Sequence, residues 1–147
     1  MKPAILLVLD TNIVMDMLHF SDRRTQWLRT AIDRGQAQCF CDAPCLAELE
    51  RVTGYPAFGL NGPARQALVE NYLNIVTLCD ANGEEDYALP CCRDADDQKF
   101  LILGARCAAQ LLITRDKLLL KLAHQRRQAA PFTILTAEAA CHYLSLD

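Results

Sequence analysis

The feature that most constrains the fold is a run of apolar side chains near the N-terminus. The run covers six residues, Ala4 to Leu9, and is ended by Asp10. A continuous apolar run of this length is typical of a parallel strand that helices cover on both faces. It is far shorter than the roughly 18 residues that span a bilayer, and too short for the core of a signal peptide. We therefore expect a central strand, no membrane or export segment, and a cytoplasmic location.

Downstream, helical and strand patterns alternate. Strands are predicted at 38–41, 75–78, 111–114 and 132–135. Helices are predicted at 12–18, 22–34, 44–52, 63–73, 95–109, 117–124 and 137–144, the last with Thr136 as its N-cap. Residues 82–93 carry acids, a proline and little periodicity, which predicts an exposed loop.

This alternation decides the expected fold class. Strands that alternate with helices predict an α/β protein, here a three-layer α/β/α sandwich with a mainly parallel central sheet. The length of 147 residues and the 52% apolar composition are typical of one domain with a sizeable core. We therefore expect a single domain over residues 1–147.

The eight cysteines are expected to be reduced and unbridged. Without an export signal a protein stays in a reducing compartment, where thiols behave as small buried apolar groups. Cys39, Cys41 and Cys45 could suggest zinc, but Cys39 and Cys41 alternate with Phe40 in a predicted strand. They lack the two-residue gap of a zinc knuckle. Core thiols are the favoured interpretation.

Charge is unevenly distributed along a chain whose net charge is −3. From Asp80 to Asp97 there are seven acids and one base. A basic stretch interrupted only by Asp116 follows, and consists of Arg115, Lys117, Lys121, Arg126 and Arg127. The net charge argues against binding nucleic acid by bulk electrostatics. The basic stretch itself fits either a solvated helix face or a track for RNA phosphates.

Several acids follow predicted strands or open predicted helices. Asp10 ends the first strand, Asp116 follows the strand at 111–114, and Glu48 lies in the helix after the second strand. The helix predicted at 95–109 is opened by Asp94, Asp96 and Asp97. In parallel sheets, ligands bind beyond the carboxyl ends of the strands, where helix N-termini also gather. We therefore expect these acids to converge.

Each acid taken alone also fits a helix cap, because Asp is a preferred N-cap. Several carboxylates at one edge, however, repel one another unless a cation lies among them. Oxygen ligands without histidine favour Mg²⁺ or Mn²⁺ over zinc. The histidines His19, His124 and His142 lie in predicted helices away from the acids. A metal-activated water is therefore the expected nucleophile.

Four motifs carry a resemblance to a known family. They are Leu9-Asp-Thr-Asn-Ile13, Leu46-Ala-Glu-Leu-Glu50, Asp94-Ala-Asp-Asp-Gln-Lys-Phe100 and Ile113-Thr-Arg-Asp-Lys117. In order and spacing they resemble the acidic motifs of PIN-domain proteins, especially the branch assigned as toxins of prokaryotic type II toxin–antitoxin systems. The resemblance spans nearly the whole chain, from the first strand to the final helix.

The resemblance implies a PIN-like fold and a set of site residues. The catalytic, metal-binding quartet would be Asp10, Glu48, Asp97 and Asp116, with Asp94 as an accessory metal-binding acid. Hydrogen bonds from Thr11, Asn12 and Thr114 would support it. Helical geometry alone does not choose between Glu48 and Glu50, and only the family pattern selects Glu48. The choice of Asp97 among Asp94, Asp96 and Asp97 rests on the resemblance in the same way.

The resemblance also implies an activity, which is hydrolysis of RNA phosphodiester bonds by an endoribonuclease that depends on Mg²⁺ or Mn²⁺. The products would carry a 5′-phosphate and a 3′-hydroxyl. A toxin of this kind would have a cognate antitoxin protein, and PIN-like proteins commonly form homodimers. The alternative is a catalytically inactive PIN-like module that binds RNA or a protein. A phosphatase with a phosphorylated aspartate would need an acid where the chain has Asn12.

Overall fold

A parallel sheet of five strands lies at the centre of the computed structural model, which describes residues 2–125 and 127–145. The strands are β1 (Ile5–Leu9), β2 (Ala37–Cys41), β3 (Val76–Leu78), β4 (Leu111–Ile113) and β5 (Thr133–Leu135), in the spatial order β3-β2-β1-β4-β5. The first strand pairs with β2 on one side and with β4 on the other. The predicted α/β class and the central position of β1 are confirmed.

Seven α-helices surround the sheet in the described part of the chain. They are α1 (Thr11–Leu18), α2 (Arg23–Asp33), α3 (Ala43–Thr53), α4 (Gly62–Leu73), α5 (Gln98–Arg106), α6 (Lys117–Lys121) and α7 (Ala137–Ser145). Three 3₁₀ turns add to them at Pro56–Phe58, Ala95–Asp97 and Leu122–His124. The hydroxyl of Thr136 accepts a hydrogen bond of 3.2 Å from the Ala139 N–H, as expected of the predicted N-cap.

Two predicted helices were wrong at their ends. The helix predicted over 95–109 begins with a 3₁₀ turn and its α-helical part ends at Arg106. Ala108 then has a φ of 52°, a left-handed conformation that a right-handed helix cannot continue. The helix predicted over 117–124 is α-helical only to Lys121 and closes as a 3₁₀ turn. The loop over 82–93 contains neither helix nor strand, as predicted.

The burial of β1 explains why its sequence does not alternate. Leu7 and Val8 are both 0% exposed. Consecutive strand residues point to opposite faces of a sheet, so both faces must be covered. The three residues of β4 are also fully buried. The core therefore lies on both sides of the two central strands, and the site is built where these strands end.

The order of the strands places a topological switch point beside β1. The chain builds β2 and β3 on one side of β1 and then returns to build β4 and β5 on the other side. At the carboxyl ends, the backbone N–H of Asp10 donates to the carbonyl of Ile113 over 3.0 Å. The residues that follow β1 and β4 are therefore direct neighbours, at the place where parallel sheets bind ligands.

None of the eight cysteines, all of which lie within the described residues, forms a disulfide. Cys39, Cys41 and Cys45 are buried, as expected of core thiols, and burial raises the pKa of Cys39 to about 12. Their reduced state in the cell stays a prediction. Within residues 2–125 and 127–145, no helix has the length and apolar character needed to cross a membrane.

Candidate active site

Asp10 is placed by the end of β1 and the start of α1. Its side chain is 3% exposed and accepts a hydrogen bond of 2.7 Å at Oδ2 from the hydroxyl of Thr114. Asp10 occupies the N-cap position of α1, yet its side chain makes no capping hydrogen bond. Its carboxylate is therefore held by the residue after β4 rather than used to start the helix.

Asp116 is oriented by the same threonine. Thr114 is 0% exposed, and its hydroxyl oxygen accepts a hydrogen bond of 2.9 Å from the Asp116 N–H. The Asp116 carboxylate accepts at Oδ1 from the backbone N–H groups of Leu118 and Leu119, over 2.8 and 3.2 Å. Asp116 therefore caps α6 with one oxygen. Thr114 links its position to that of Asp10.

Glu48 reaches the same region from α3. Its exposure is 9%, and the hydroxyl of Thr11 donates a hydrogen bond to its Oε2. The ammonium of Lys99 lies 2.9 Å from Oε1. Glu50, two residues on, is exposed and lines a different groove beside Arg65. The structure thus places Glu48, and not Glu50, beside the residues that follow β1.

Asp97 lies at the start of α5 and has the least satisfied carboxylate of the group. Its Oδ2 is buried and has no hydrogen-bond partner among the described residues. Its side chain does not cap α5. Burial, together with the negative charges of Asp10 and Asp116, raises the pKa of Asp97 to about 7. When Asp97 is ionised, its Oδ2 therefore has no hydrogen-bond donor among the described residues.

The electrostatics show that the four acids form one cluster. Burial raises the pKa of Asp10, the Thr114 hydrogen bond opposes that rise, and the charges of Glu48 and Asp116 add to it. The charge of Glu48 also contributes to the raised pKa of Asp97. We call Asp10, Glu48, Asp97 and Asp116 the acidic cluster.

Asp94 and Asp96 lie at the margin of the acidic cluster. Both are exposed, and Asp94 accepts a hydrogen bond of 3.0 Å from the Asp96 N–H, which caps the 3₁₀ turn. The charge of Asp94 contributes to the raised pKa of Asp97. Helix capping therefore accounts for Asp94 and in part for Asp116, but leaves Asp10 and Asp97 unexplained.

The chemistry of the cluster fits a divalent cation. Its donors are carboxylate oxygens, the ligands that Mg²⁺ and Mn²⁺ prefer. Asp97 has a buried oxygen without a hydrogen-bond partner among the described residues, and its pKa is raised by the neighbouring carboxylates, so a cation would be stabilised among them. In the part of the chain that the structure describes, no three Asp, Glu, His or Cys side chains lie close enough together to hold one ion. The acids are thus gathered but do not form a closed coordination shell.

The other predicted residues vary in their relation to the cluster. Asn12 is half-buried on α1, and the described residues include no hydrogen-bond partner for its side chain. Arg115 donates hydrogen bonds of 2.9 and 3.3 Å to the buried carboxylate of Asp16. Lys117, Lys121 and Arg127 are exposed, as is Arg115, but unlike Arg115 they form no ion pair within the described residues. Arg126 lies outside the described residues.

Lys99 and Arg51 were not anticipated as neighbours of the cluster. Lys99 contacts Glu48 closely, and Arg51 lies 3.7 Å from the same Oε1. Arg51 is one helical turn after Glu48, a spacing that sequence alone could have indicated. Lys99 comes from another helix, so its contact depends on how α3 and α5 pack.

These observations first define a class of protein. A parallel α/β fold with carboxylates gathered at its switch point is the arrangement of a site that binds ligands through the ends of its strands. Comparison with protein families then gives a specific match, because residues 6–118 fit the model of the PIN domain. The chain therefore belongs to the PIN-domain family, whose fold is of the nuclease type. No curated protein matches the sequence.

Proposed function

We propose that the chain is an endoribonuclease that hydrolyses RNA phosphodiester bonds with Mg²⁺ or Mn²⁺. The observation that carries the proposal is the acidic cluster, in which a buried oxygen of Asp97 lies near other carboxylates and has no hydrogen-bond partner in the described part of the chain. A purely structural cluster would be expected to pair its buried charges. A nuclease needs such uncompensated carboxylates to bind cations.

In this mechanism, hydrogen bonds hold three carboxylates of the acidic cluster in fixed positions. Thr114 orients Asp10, Thr11 orients Glu48, and the N-terminus of α6 orients Asp116. Asp97 would bind in its ionised form, which a nearby cation favours. When bound, a divalent ion supplies an activated water and stabilises the leaving oxygen. We propose Asp94 as an accessory acid and Asn12 as a supporting residue.

We extend the proposal to the setting of the enzyme. The chain would be a single-domain cytoplasmic toxin of a toxin–antitoxin pair. Its PIN-domain fold supports a nucleic-acid substrate. A cognate antitoxin and a homodimer are proposed partners. Exposed Lys117, Lys121 and Arg127 are proposed to contact RNA phosphates, and the basic stretch includes Arg126 in the same role.

Two observations favour a second function, that of a catalytically inactive module which binds RNA or a protein. Glu48 already has a cationic partner in Lys99, and no closed set of three ligands lies among residues 2–125 and 127–145. A module of this kind would bind its partner without a divalent ion. Its stability would also respond little to Mn²⁺.

Cleavage of RNA by the purified protein distinguishes the two functions. Single-stranded RNA is incubated with the protein in Mn²⁺, in Mg²⁺ or in a chelator, and the new ends are sequenced. The nuclease proposal predicts cleavage only with the metals, and 5′-phosphate ends. Metal-independent cleavage, or RNA binding without any cleavage, would contradict it.

A further inference from the structure

Both carboxylate oxygens of Glu48 have partners. Oε2 accepts from the hydroxyl of Thr11, while Oε1 faces the ammonium of Lys99 at 2.9 Å and the guanidinium of Arg51 at 3.7 Å. Among the ion pairs of the described residues, these two are the only ones that involve the acidic cluster. Glu48 thus differs from Asp97, which has a buried oxygen without a hydrogen-bond partner in residues 2–125 and 127–145.

Lys99 is held in place more firmly than Arg51. The side chain of Lys99 is 19% exposed and that of Arg51 is 59% exposed. The Lys99 ammonium also lies 5.7 Å from the centre of the Phe100 ring, within the range of a cation–π contact. A short, largely desolvated ion pair is stronger than a long, exposed one. Lys99 is therefore the principal counter-charge of Glu48.

We propose that Lys99 is an internal cation which neutralises Glu48 while no divalent ion is bound, and which such an ion displaces. The inference rests on the proposed metal-dependent function and concerns how the same site is regulated. A divalent ion that takes Oε1 of Glu48 must break the ion pair with Lys99, so part of its binding free energy is spent on that exchange. Lys99 therefore sets the cation concentration at which the site fills.

This exchange would serve two purposes in the protein. Without a cation, the Lys99 charge reduces the repulsion between Glu48 and its acidic neighbours, which stabilises the fold. With a cation bound, the ammonium is released from Glu48 at the edge of the site. The same side chain then has no carboxylate partner from the cluster and becomes accessible to reagents.

The first test compares Mn²⁺ affinity in matched variants by isothermal titration calorimetry. Lys99→Met keeps the length of the side chain and removes its charge. We expect it to bind Mn²⁺ about tenfold more tightly than wild type, as the loss of a charge-assisted contact would allow. Arg51→Met removes an equal charge near the same oxygen, and should change the affinity by about twofold or less. An equal gain in both variants would overturn the exchange, because general electrostatics would then explain it.

The second test measures the accessibility of the Lys99 side chain in the wild-type protein, so it does not depend on whether a variant folds. Reductive methylation read by mass spectrometry reports how accessible each lysine is. We expect Lys99 to react slowly in a chelator and several times faster in Mg²⁺, whereas Lys117 should react equally in both. Protection of Lys99 that is unchanged or increased by Mg²⁺ would overturn the proposal. In the calorimetric test, Lys99→Gln takes the place of Lys99→Met if the Met variant does not fold.

The two proposals fail in different ways. If wild type cleaves RNA with Mn²⁺ but Lys99→Met binds Mn²⁺ no more tightly, the exchange is wrong and the nuclease function stands. If Lys99→Met binds Mn²⁺ more tightly while neither protein cleaves RNA, the nuclease function is wrong and the exchange stands.

Discussion

The acidic cluster and the ion pairs around Arg106 bury carboxylates in opposite ways. Arg106 is 12% exposed in its side chain and contacts Asp42 at 2.8 Å and Glu85 at 2.6 Å. It also donates to the carbonyl of Cys79 over 2.7 Å. Each acid in this network therefore faces a cation. In the acidic cluster, Asp97 has an oxygen with no partner in the described residues.

The pKa values express this contrast. Hydrogen bonds from Arg106 lower the pKa of Glu85, whereas burial and neighbouring carboxylates raise the pKa of Asp97. The Arg106 network closes a long loop onto α5 and is a structural device. In the acidic cluster the carboxylates repel one another instead, which is expected of a site that binds a cation. The absence of a partner within the described residues therefore distinguishes Asp97 from the stabilising acids Asp42 and Glu85. Glu48, which is paired with Lys99, lies between these two cases.

The largest expected effect is on cleavage. Asp10→Asn and Asp116→Asn keep the size of the side chain but remove a charge that would hold the cation. We expect each to lower RNA cleavage by about a thousandfold, or roughly 4 kcal/mol, and to abolish the rise in Tm with Mn²⁺. Single-turnover assays and thermal melts measure the two effects. Exposed Asp96→Asn is the matched control and should retain both properties.

The same variants give a stability result that tests the comparison. In metal-free buffer the charges of the cluster repel one another, so each Asp→Asn change should leave the Tm unchanged or raise it slightly. A marked fall in metal-free Tm would show that these acids stabilise the fold as Asp42 does. The site assignment would then fail if cleavage also persisted.

The next largest effect is expected on stability in the Arg106 network. Arg106→Met leaves buried Asp42 without its cation, which should lower the free energy of unfolding by about 3 kcal/mol or more. Arg51→Met, which removes an exposed partner of Glu48, should cost about 1 kcal/mol or less. Urea unfolding measures both values. Equal losses would mean that the network is no more structural than the surface pair at Glu48.

The pH dependence of stability should have opposite signs in the two regions. The pKa of Asp97 is raised from 3.8 to about 7, so its proton stabilises the metal-free fold. That stabilisation is fully present below about pH 4 and is lost as the pH rises through 7. Glu85 has a lowered pKa, so its contribution is present above its ordinary pKa of 4.5 and is lost as the pH falls.

Melting temperatures of metal-free protein across pH 4 to 8 test this pair of signs. Relative to wild type, Asp97→Asn should gain stability as the pH rises, because it avoids the ionised carboxylate. Glu85→Gln should lose stability relative to wild type as the pH rises from 4 through the ordinary pKa of 4.5, and the difference should then stay constant up to pH 8. Parallel pH profiles for the two variants would contradict the contrast.

The smallest effect is expected for RNA affinity. Lys117 and Lys121 are exposed and unlike Arg115 have no ion pair within the described residues. Replacing both by Ala should weaken RNA binding several-fold and reduce its salt dependence by about one to two released ions. Arg34→Ala is the control, because Arg34 is exposed just before β2, at the opposite edge of the sheet. If wild type, the double variant and Arg34→Ala bind RNA with equal affinity across a salt series, the basic stretch is a solvated helix face and does not contact RNA.

The sequence alone was sufficient to predict the helices, the strands and the α/β fold class. The apolar run before Asp10 predicted a doubly covered strand, and alternating patterns predicted the parallel sheet, because backbone conformation and burial follow from short-range periodicity. The resemblance of four motifs predicted the PIN-domain family. The end of α5 was missed because the left-handed turn at Ala108 has no signal in a residue of high helix propensity.

Only the tertiary structure decided how each acid is used. Asp10 could have been a helix cap from its position, but the Thr114 hydroxyl, 104 residues away in sequence, holds its carboxylate instead. Glu48 was separated from Glu50 by the packing of α3 beside Thr11, and Lys99 reached Glu48 from a different helix. Local patterns set which elements form. The partner of a buried charge depends on side chains that packing brings together from distant parts of the chain, and those contacts leave no periodic trace in the sequence.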